Sequence, residues 1–99
     1  MLIFNTSFYV SEGSIEDWKR WLKEQLFAEL DKQVGTLPTE VFEVVSVQPE
    51  ENRIFSVQWR CASWEAIQQV DDCVASVLTS LNAQFGESAT HFSSIMQKL

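Results

Sequence analysis

Apolar residues recur along this chain first with the two-residue period of a strand and then with the three- and four-residue period of a helix. Strand, strand, helix and strand follow. That order constrains the fold more than any motif. From Leu2 to Val10, the residues Leu2, Phe4, Thr6, Phe8 and Val10 share one face, and Ile3, Asn5, Ser7 and Tyr9 share the other. Ser14 is expected to cap a helix, with Asp17 in the acidic position three residues on. Ile15, Trp18, Trp21, Leu22, Leu26 and Leu30 form its apolar stripe, and Gly35 and Pro38 end it.

The stretch Val41 to Val47 is rich in β-branched residues and predicts a second strand, followed by a turn at Pro49-Glu50-Glu51-Asn52. The third strand is expected over Ile54 to Ala62, with Phe55, Val57, Trp59 and Cys61 on its core face. Ser63 caps a second helix whose stripe runs through Ile67, Val70, Val74, Val77, Leu78, Leu81 and Phe85, and Gly86 closes it. The last strand covers Ala89 to Met96, dividing Thr90, Phe92, Ser94 and Met96 from Ala89, His91, Ser93 and Ile95.

A βαββαβ chain of 99 residues has room for one domain over residues 1–99, an α+β ferredoxin-like sandwich with both helices on one face of a four-stranded antiparallel sheet. The other sheet face is left bare. With the strand faces assigned as above, it carries Ile3, Asn5, Ser7, Tyr9, Ser56, Gln58, Arg60, Ala89, His91, Ser93 and Ile95, a mixed surface that is neither core nor plain solvent face. Each face presents on the order of 350 to 400 Å². Two packed together come near the lower limit for a specific interface, about 1,000 Å² in total, with added contacts needed from strand ends or helix flanks. A homodimer through the free sheet face, which closed symmetry favours, is the expected assembly.

Composition narrows the partners. Fourteen acidic against seven basic residues give a net charge of −7, which repels phosphate backbones and anionic lipid headgroups, so neither nucleic acid nor a membrane is expected as partner. The apolar start lacks a basic flank and contains Asn5, Thr6 and Ser7, which makes it a strand rather than a signal peptide. No run reaches the ~20 apolar residues of a membrane span. A bacterial-type cytoplasm is the expected location. Cys61 and Cys73 are too few for a disulfide scaffold or a zinc site, although their redox state stays open. A single histidine removes any metal site built on imidazoles. No metal or other cofactor is expected.

The run Met1 to Val10, the helix entry Trp18-Lys19-Arg20-Trp21-Leu22-Lys23, the Ser63-Trp64 start of the second helix and the Gln84-Phe85-Gly86 exit before the last strand resemble a bacterial family of short proteins, the DUF4286 type. The resemblance covers nearly the whole chain. It implies a ferredoxin-like fold akin to the dimeric α/β-barrel proteins, a superfamily of cofactor-free monooxygenases, isomerases and small-ligand binders, and it implies no established activity. Members often carry a His-Ile-Pro step in the first helix where this chain has Leu26-Phe27-Ala28, so no role for that histidine carries over.

Asn5, Tyr9, Arg60 and His91 form the candidate polar cluster. As donors and a proton acceptor between two sheets they would surround a small oxygenated molecule, whereas as plain interface groups they would satisfy one another. Trp18 and Trp21 are expected in the core. The acidic neighbours Asp71 and Asp72 are expected to raise the Cys73 thiol pKa and leave it inert. The strand Arg53-Ile54-Phe55-Ser56-Val57-Gln58-Trp59 faintly echoes the basic-aromatic strand of RNA-recognition modules, but it lacks the glycine and central aromatic of that motif, and the net charge has the wrong sign. The preferred function is therefore a non-catalytic, homodimeric binding or assembly module. A cofactor-independent enzyme acting on a small organic molecule is the alternative, and an RNA-recognition-like module the second.

Overall fold

The computed structural model describes residues 1–45 and 52–99. The chain runs β1 (Leu2–Ser11), α1 (Ile15–Trp21), α2 (Ala28–Gln33), β2 (Thr39–Val44), β3 (Asn52–Cys61), α3 (Trp64–Phe85) and β4 (Ala89–Gln97). The strands form one sheet in the order β2-β3-β1-β4, every neighbouring pair antiparallel. This is the expected α+β, ferredoxin-like architecture. Val47 and the turn residues Pro49, Glu50 and Glu51 lie outside the described residues.

The core lies between the sheet and the helices, where the two-residue and 3.6-residue periods meet. Phe4, Phe8, Val10, Phe55, Val57 and Trp59 from the two central strands are all buried, as are Ile15, Trp18, Trp21, Leu26 and Leu30 from the first helical run. Val70, Val74, Leu78 and Leu81 of α3 complete the cluster. Trp18 stacks on Phe55 at 4.7 Å between ring centroids, and Phe8 meets Trp18 at 5.2 Å and Trp21 at 5.9 Å. Offset and edge contacts of this kind add about 0.5 to 1.5 kcal/mol each beyond the area they bury. The Trp21 indole N–H donates to Ser80 Oγ at 2.9 Å, tying the first helical run to α3 through a satisfied polar bond.

Between α1 and α2 the residues Leu22–Phe27 form a π-helical segment. The apolar stripe explains it. Trp18, Leu22, Leu26 and Leu30 are spaced four apart, and at 100° per residue each such step overshoots a full α-helical turn by about 40°. The wider turn of i→i+5 bonding takes that drift back, so Leu22, Leu26 and Leu30 all stay buried.

Three local expectations are corrected. Ser14 does not cap the first helix: the chain enters a 3-10 turn at Glu12–Ser14, Ser14 is already helical at φ −106°, ψ −1°, and its side chain makes no capping bond. A cap needs an extended residue, as Ser63 is at φ −150°, ψ 165°, where its hydroxyl accepts from the Ala66 N–H at 3.2 Å. The second correction concerns β4. Its register pairs Val10 with Ala89, Phe8 with His91, Thr6 with Ser93 and Phe4 with Ile95. Directly paired residues share a face, so Ala89, His91, Ser93 and Ile95 lie on the helix side, and Thr90, Phe92, Ser94 and Met96 lie on the free face. The third concerns Cys73, whose thiol pKa is pushed up by burial first and by the charge of Glu29 second, not by Asp71 and Asp72. Those two carboxylates project from the exposed side of α3, while the sulfur faces the core.

Candidate functional site

The free face of the sheet is a lattice of four rows, read across from β2 to β4. Val44, Ile54, Tyr9 and Thr90 form the first, Phe42, Ser56, Ser7 and Phe92 the second, Glu40, Gln58, Asn5 and Ser94 the third, and Arg60, Ile3 and Met96 the last. Strands of six to ten residues at ~4.8 Å spacing give a footprint on the order of 500 Å².

Its middle is polar and internally satisfied. Asn5 is only 7% exposed although it faces away from the helices. Its amide nitrogen donates to Ser7 Oγ at 3.2 Å and Ser94 Oγ at 3.5 Å, and its amide oxygen accepts from Ser56 Oγ at 2.5 Å. Gln58 Nε2 donates in turn to Ser56 Oγ at 3.3 Å. The margins are apolar: Phe92 is 63% exposed, Phe42 47% and Tyr9 38%, and Val44 and Met96 are exposed with them. Aromatic side chains and methionine are residue types enriched where one protein surface covers another.

Arg60 is committed to Glu40, its guanidinium lying 2.6 Å from the carboxylate on the same face. The two charges cancel, so the face carries no uncompensated guanidinium at this position. The Arg53–Glu43 pair at 2.8 Å is on the helix side, where the guanidinium holds the Glu43 carboxyl below the usual carboxylate range.

The structure does not gather the four candidate residues. Asn5 and Tyr9 are four residues apart on one strand, about 14 Å along it, and Arg60 lies at the opposite end of the face from Tyr9. His91 is on the other side of the sheet, in an open groove of about 650 Å³ between β4 and α3. The free face therefore presents amides, hydroxyls, a phenol and one neutralised ion pair, with no imidazole. Sequence reasoning missed Phe42, Phe92 and Met96. Phe92 and Met96 went with the reversed face of β4, and no face was assigned for β2. The alternation of Glu40, Phe42 and Val44 against Val41 and Glu43 was the available signal, ambiguous because both sets mix apolar and charged groups.

Among the described residues, no three His, Cys, Asp or Glu side chains come together to hold a metal ion, and no helix is long and apolar enough to cross a membrane. Cys61 and Cys73 are free, buried thiols, and burial pushes the pKa of both up, which works against a reactive thiolate.

The family model of a domain of unknown function, DUF4286, matches residues 1–99. The chain belongs to the DUF4286 family. A search of curated proteins finds no match. Solved structures similar to this DUF4286 chain include a NIPSNAP family protein from Agrobacterium tumefaciens, at 14% identity and a TM-score of 0.64, covering 100% of this chain and 94% of that one. A protein from an uncultured marine organism, described as a dimeric ferredoxin-like protein, shares 14% identity at a TM-score of 0.64, over 100% of this chain and 95% of that one. An EthD family protein from Bacillus halodurans shares 13% identity at a TM-score of 0.62, over the full length of both chains. At these identities the likeness establishes the ferredoxin-like fold of this DUF4286 member and nothing about its chemistry.

Proposed function

We propose that this DUF4286 chain is a one-domain, non-catalytic binding or assembly module that works as a homodimer, two copies meeting through their free sheet faces. The carrying observation is the ring of exposed Tyr9, Phe42, Val44, Phe92 and Met96 around an internally bonded polar centre. Two footprints on the order of 500 Å² reach the lower bound of a specific interface, about 1,000 Å² in total, and the apolar margins supply the driving force. The polar centre adds little desolvation cost because its groups already have partners. The neighbour described as a dimeric ferredoxin-like protein supports the same reading.

The cluster expected of a cofactor-independent enzyme is not assembled, since His91 is on the other side of the sheet from Asn5, Tyr9 and Arg60, and the carboxylate nearest them, Glu40, is paired with Arg60. An RNA-binding face would need unpaired cations, but Arg60 is held by Glu40 and the chain carries a net charge of −7. The neighbours' sources support a bacterial protein, and the unbridged, buried cysteines fit a cytoplasmic one. Sedimentation equilibrium at micromolar concentration tests the proposal. The expected species has twice the 11.4 kDa chain mass, and an 11.4 kDa species throughout the series would refute it.

A further inference from the structure

The two edges of the sheet are protected to very different degrees. β2 is six residues long and carries Glu40 and Glu43, charges that discourage another strand from pairing. β4 is nine residues long, Ala89 to Gln97, and contains no Pro, Asp, Glu, Lys or Arg. Its backbone orientation follows from one bond. The Lys98 N–H donates to the Met1 carbonyl at 3.1 Å, in register with the β1–β4 ladder. Backbone groups alternate along a strand, so the even-numbered residues of β4 turn theirs toward β1, and His91, Ser93 and Ile95 turn theirs outward. Beside that edge runs the groove of about 650 Å³, with Leu78 and Val74 of α3 as its apolar floor and Asp71, Thr79 and Asn82 on its wall. α3 carries Glu65, Asp71 and Asp72 and not one Lys or Arg in 22 residues.

We infer that β4 and this groove form a docking site for an extended segment of another protein, which adds to the sheet as a fifth strand. Its apolar side chains would lie on Leu78 and Val74, and a Lys or Arg would face Asp71. Main-chain bonds to His91, Ser93 and Ile95 give this mode its affinity, and the alternating side-chain positions give its selectivity. Asp71, the α3 carboxylate that lines the groove, selects a cationic segment, and the net charge of −7 disfavours a second copy of this chain. The site shares only Phe92 with the free face and does not depend on the proposed dimer.

The test is amide exchange by NMR on the whole chain, with a blocked peptide that alternates valine and threonine between terminal lysines. In the free protein the amides of His91, Ser93 and Ile95 exchange quickly and those of Phe92 and Ser94 slowly. Saturating peptide slows the first three by about tenfold or more. Ile95→Pro keeps the β1–β4 bonds, because the Ile95 N–H points outward, and it abolishes that protection. Asp71→Lys leaves the melting temperature in place and weakens the peptide about threefold to fivefold, the scale of one exposed ion pair, while a peptide with glutamine in place of lysine binds this variant and the wild type alike. Peptide binding that leaves those three amides unprotected overturns the inference, as does absence of binding at millimolar peptide. So does concentration-dependent protection of the same amides without peptide, which would make a second copy the occupant. Phe42→Ala, aimed at the free face, leaves peptide binding unchanged, so failure of the dimer and failure of the docking site can be told apart.

Discussion

Truncating Phe42 to alanine should weaken self-association by about ten- to a hundredfold while leaving the chain folded. Fully burying a phenylalanine side chain is worth about 1.5 to 3 kcal/mol. Phe42 keeps 47% of its surface in the isolated chain, so roughly half of that, about 0.7 to 1.4 kcal/mol per copy, remains to be gained at an interface. A two-fold contact counts it twice, which gives about 1.5 to 3 kcal/mol, and each 1.4 kcal/mol is about a factor of ten in the dissociation constant. Sedimentation equilibrium over a concentration series reads this directly, with circular dichroism confirming that the variant is folded. Trp64 at the start of α3 is also largely exposed but does not belong to the free face, so Trp64→Ala controls for general stickiness. The reasoning is refuted if Phe42→Ala associates as tightly as the wild type, or if Trp64→Ala loosens the dimer as much as Phe42→Ala does.

Three further outcomes follow from local structure. Ser63→Ala removes the only hydroxyl seen capping a helix among the described residues and should cost about 1 kcal/mol, read as a fall in melting temperature of about 4 to 8 °C, while Ser63→Asp should keep most of the stability. Gly35→Ala should lose about 1 to 2 kcal/mol for conformation alone, because Gly35 sits at φ +98° with open space around it; Gly13→Ala, also in open space but without positive φ, should be near neutral in the same denaturant titration. The Glu43 carboxyl, held down by its hydrogen bonds to Arg53, should titrate below the ordinary glutamate range in a carboxyl-detected NMR experiment and return to it in Arg53→Gln. A folded-state pKa below the unfolded one means that the pair's contribution is present above the unfolded pKa and is lost as pH falls through the folded pKa. A normal Glu43 midpoint in the wild type would contradict the bidentate geometry.

Periodicity made most of the fold legible, because β1, β3 and α3 are covered on one side and open on the other. Phe55, Val57, Trp59 and Cys61 alternate without error, and the α3 stripe from Ile67 to Leu81 is buried almost as read. β4 defeated the same logic. It is an edge strand at the limit of the helix layer, so its core face needs only Ala89 to be buried and tolerates exposed His91 and Ile95. Its larger apolar pair, Phe92 and Met96, is free to sit on the opposite face. Pairing register, which depends on β1 lying between β3 and β4, decides the matter, and no single-strand pattern contains it. The candidate site inherited that error through His91. The Asn5 network was equally out of reach, since Ser56 and Ser94 lie 51 and 89 residues from Asn5 and meet only through the sheet.

In the proposed dimer the polar centre and apolar margins of the free face would divide the work of recognition between them. A wholly apolar face of this extent would associate strongly but in any register, and two flat sheets can slide past one another by one residue pair with little loss of area. The hydroxyl and amide groups would limit that indifference in another way: already bonded to one another within each chain, they gain nothing from facing Phe42 or Phe92, so alignments that set apolar margin on apolar margin bury more apolar area. The Glu40–Arg60 pair would act in the same sense at one end of the face, since an alignment that covers it with apolar surface desolvates both of its charges. The exposed phenylalanines of the proposed dimer would supply affinity, and the serine, asparagine and glutamine rows would disfavour alignments that cover them with apolar side chains. The β4 edge proposed for docking lies outside this scheme except at Phe92, which borders both surfaces.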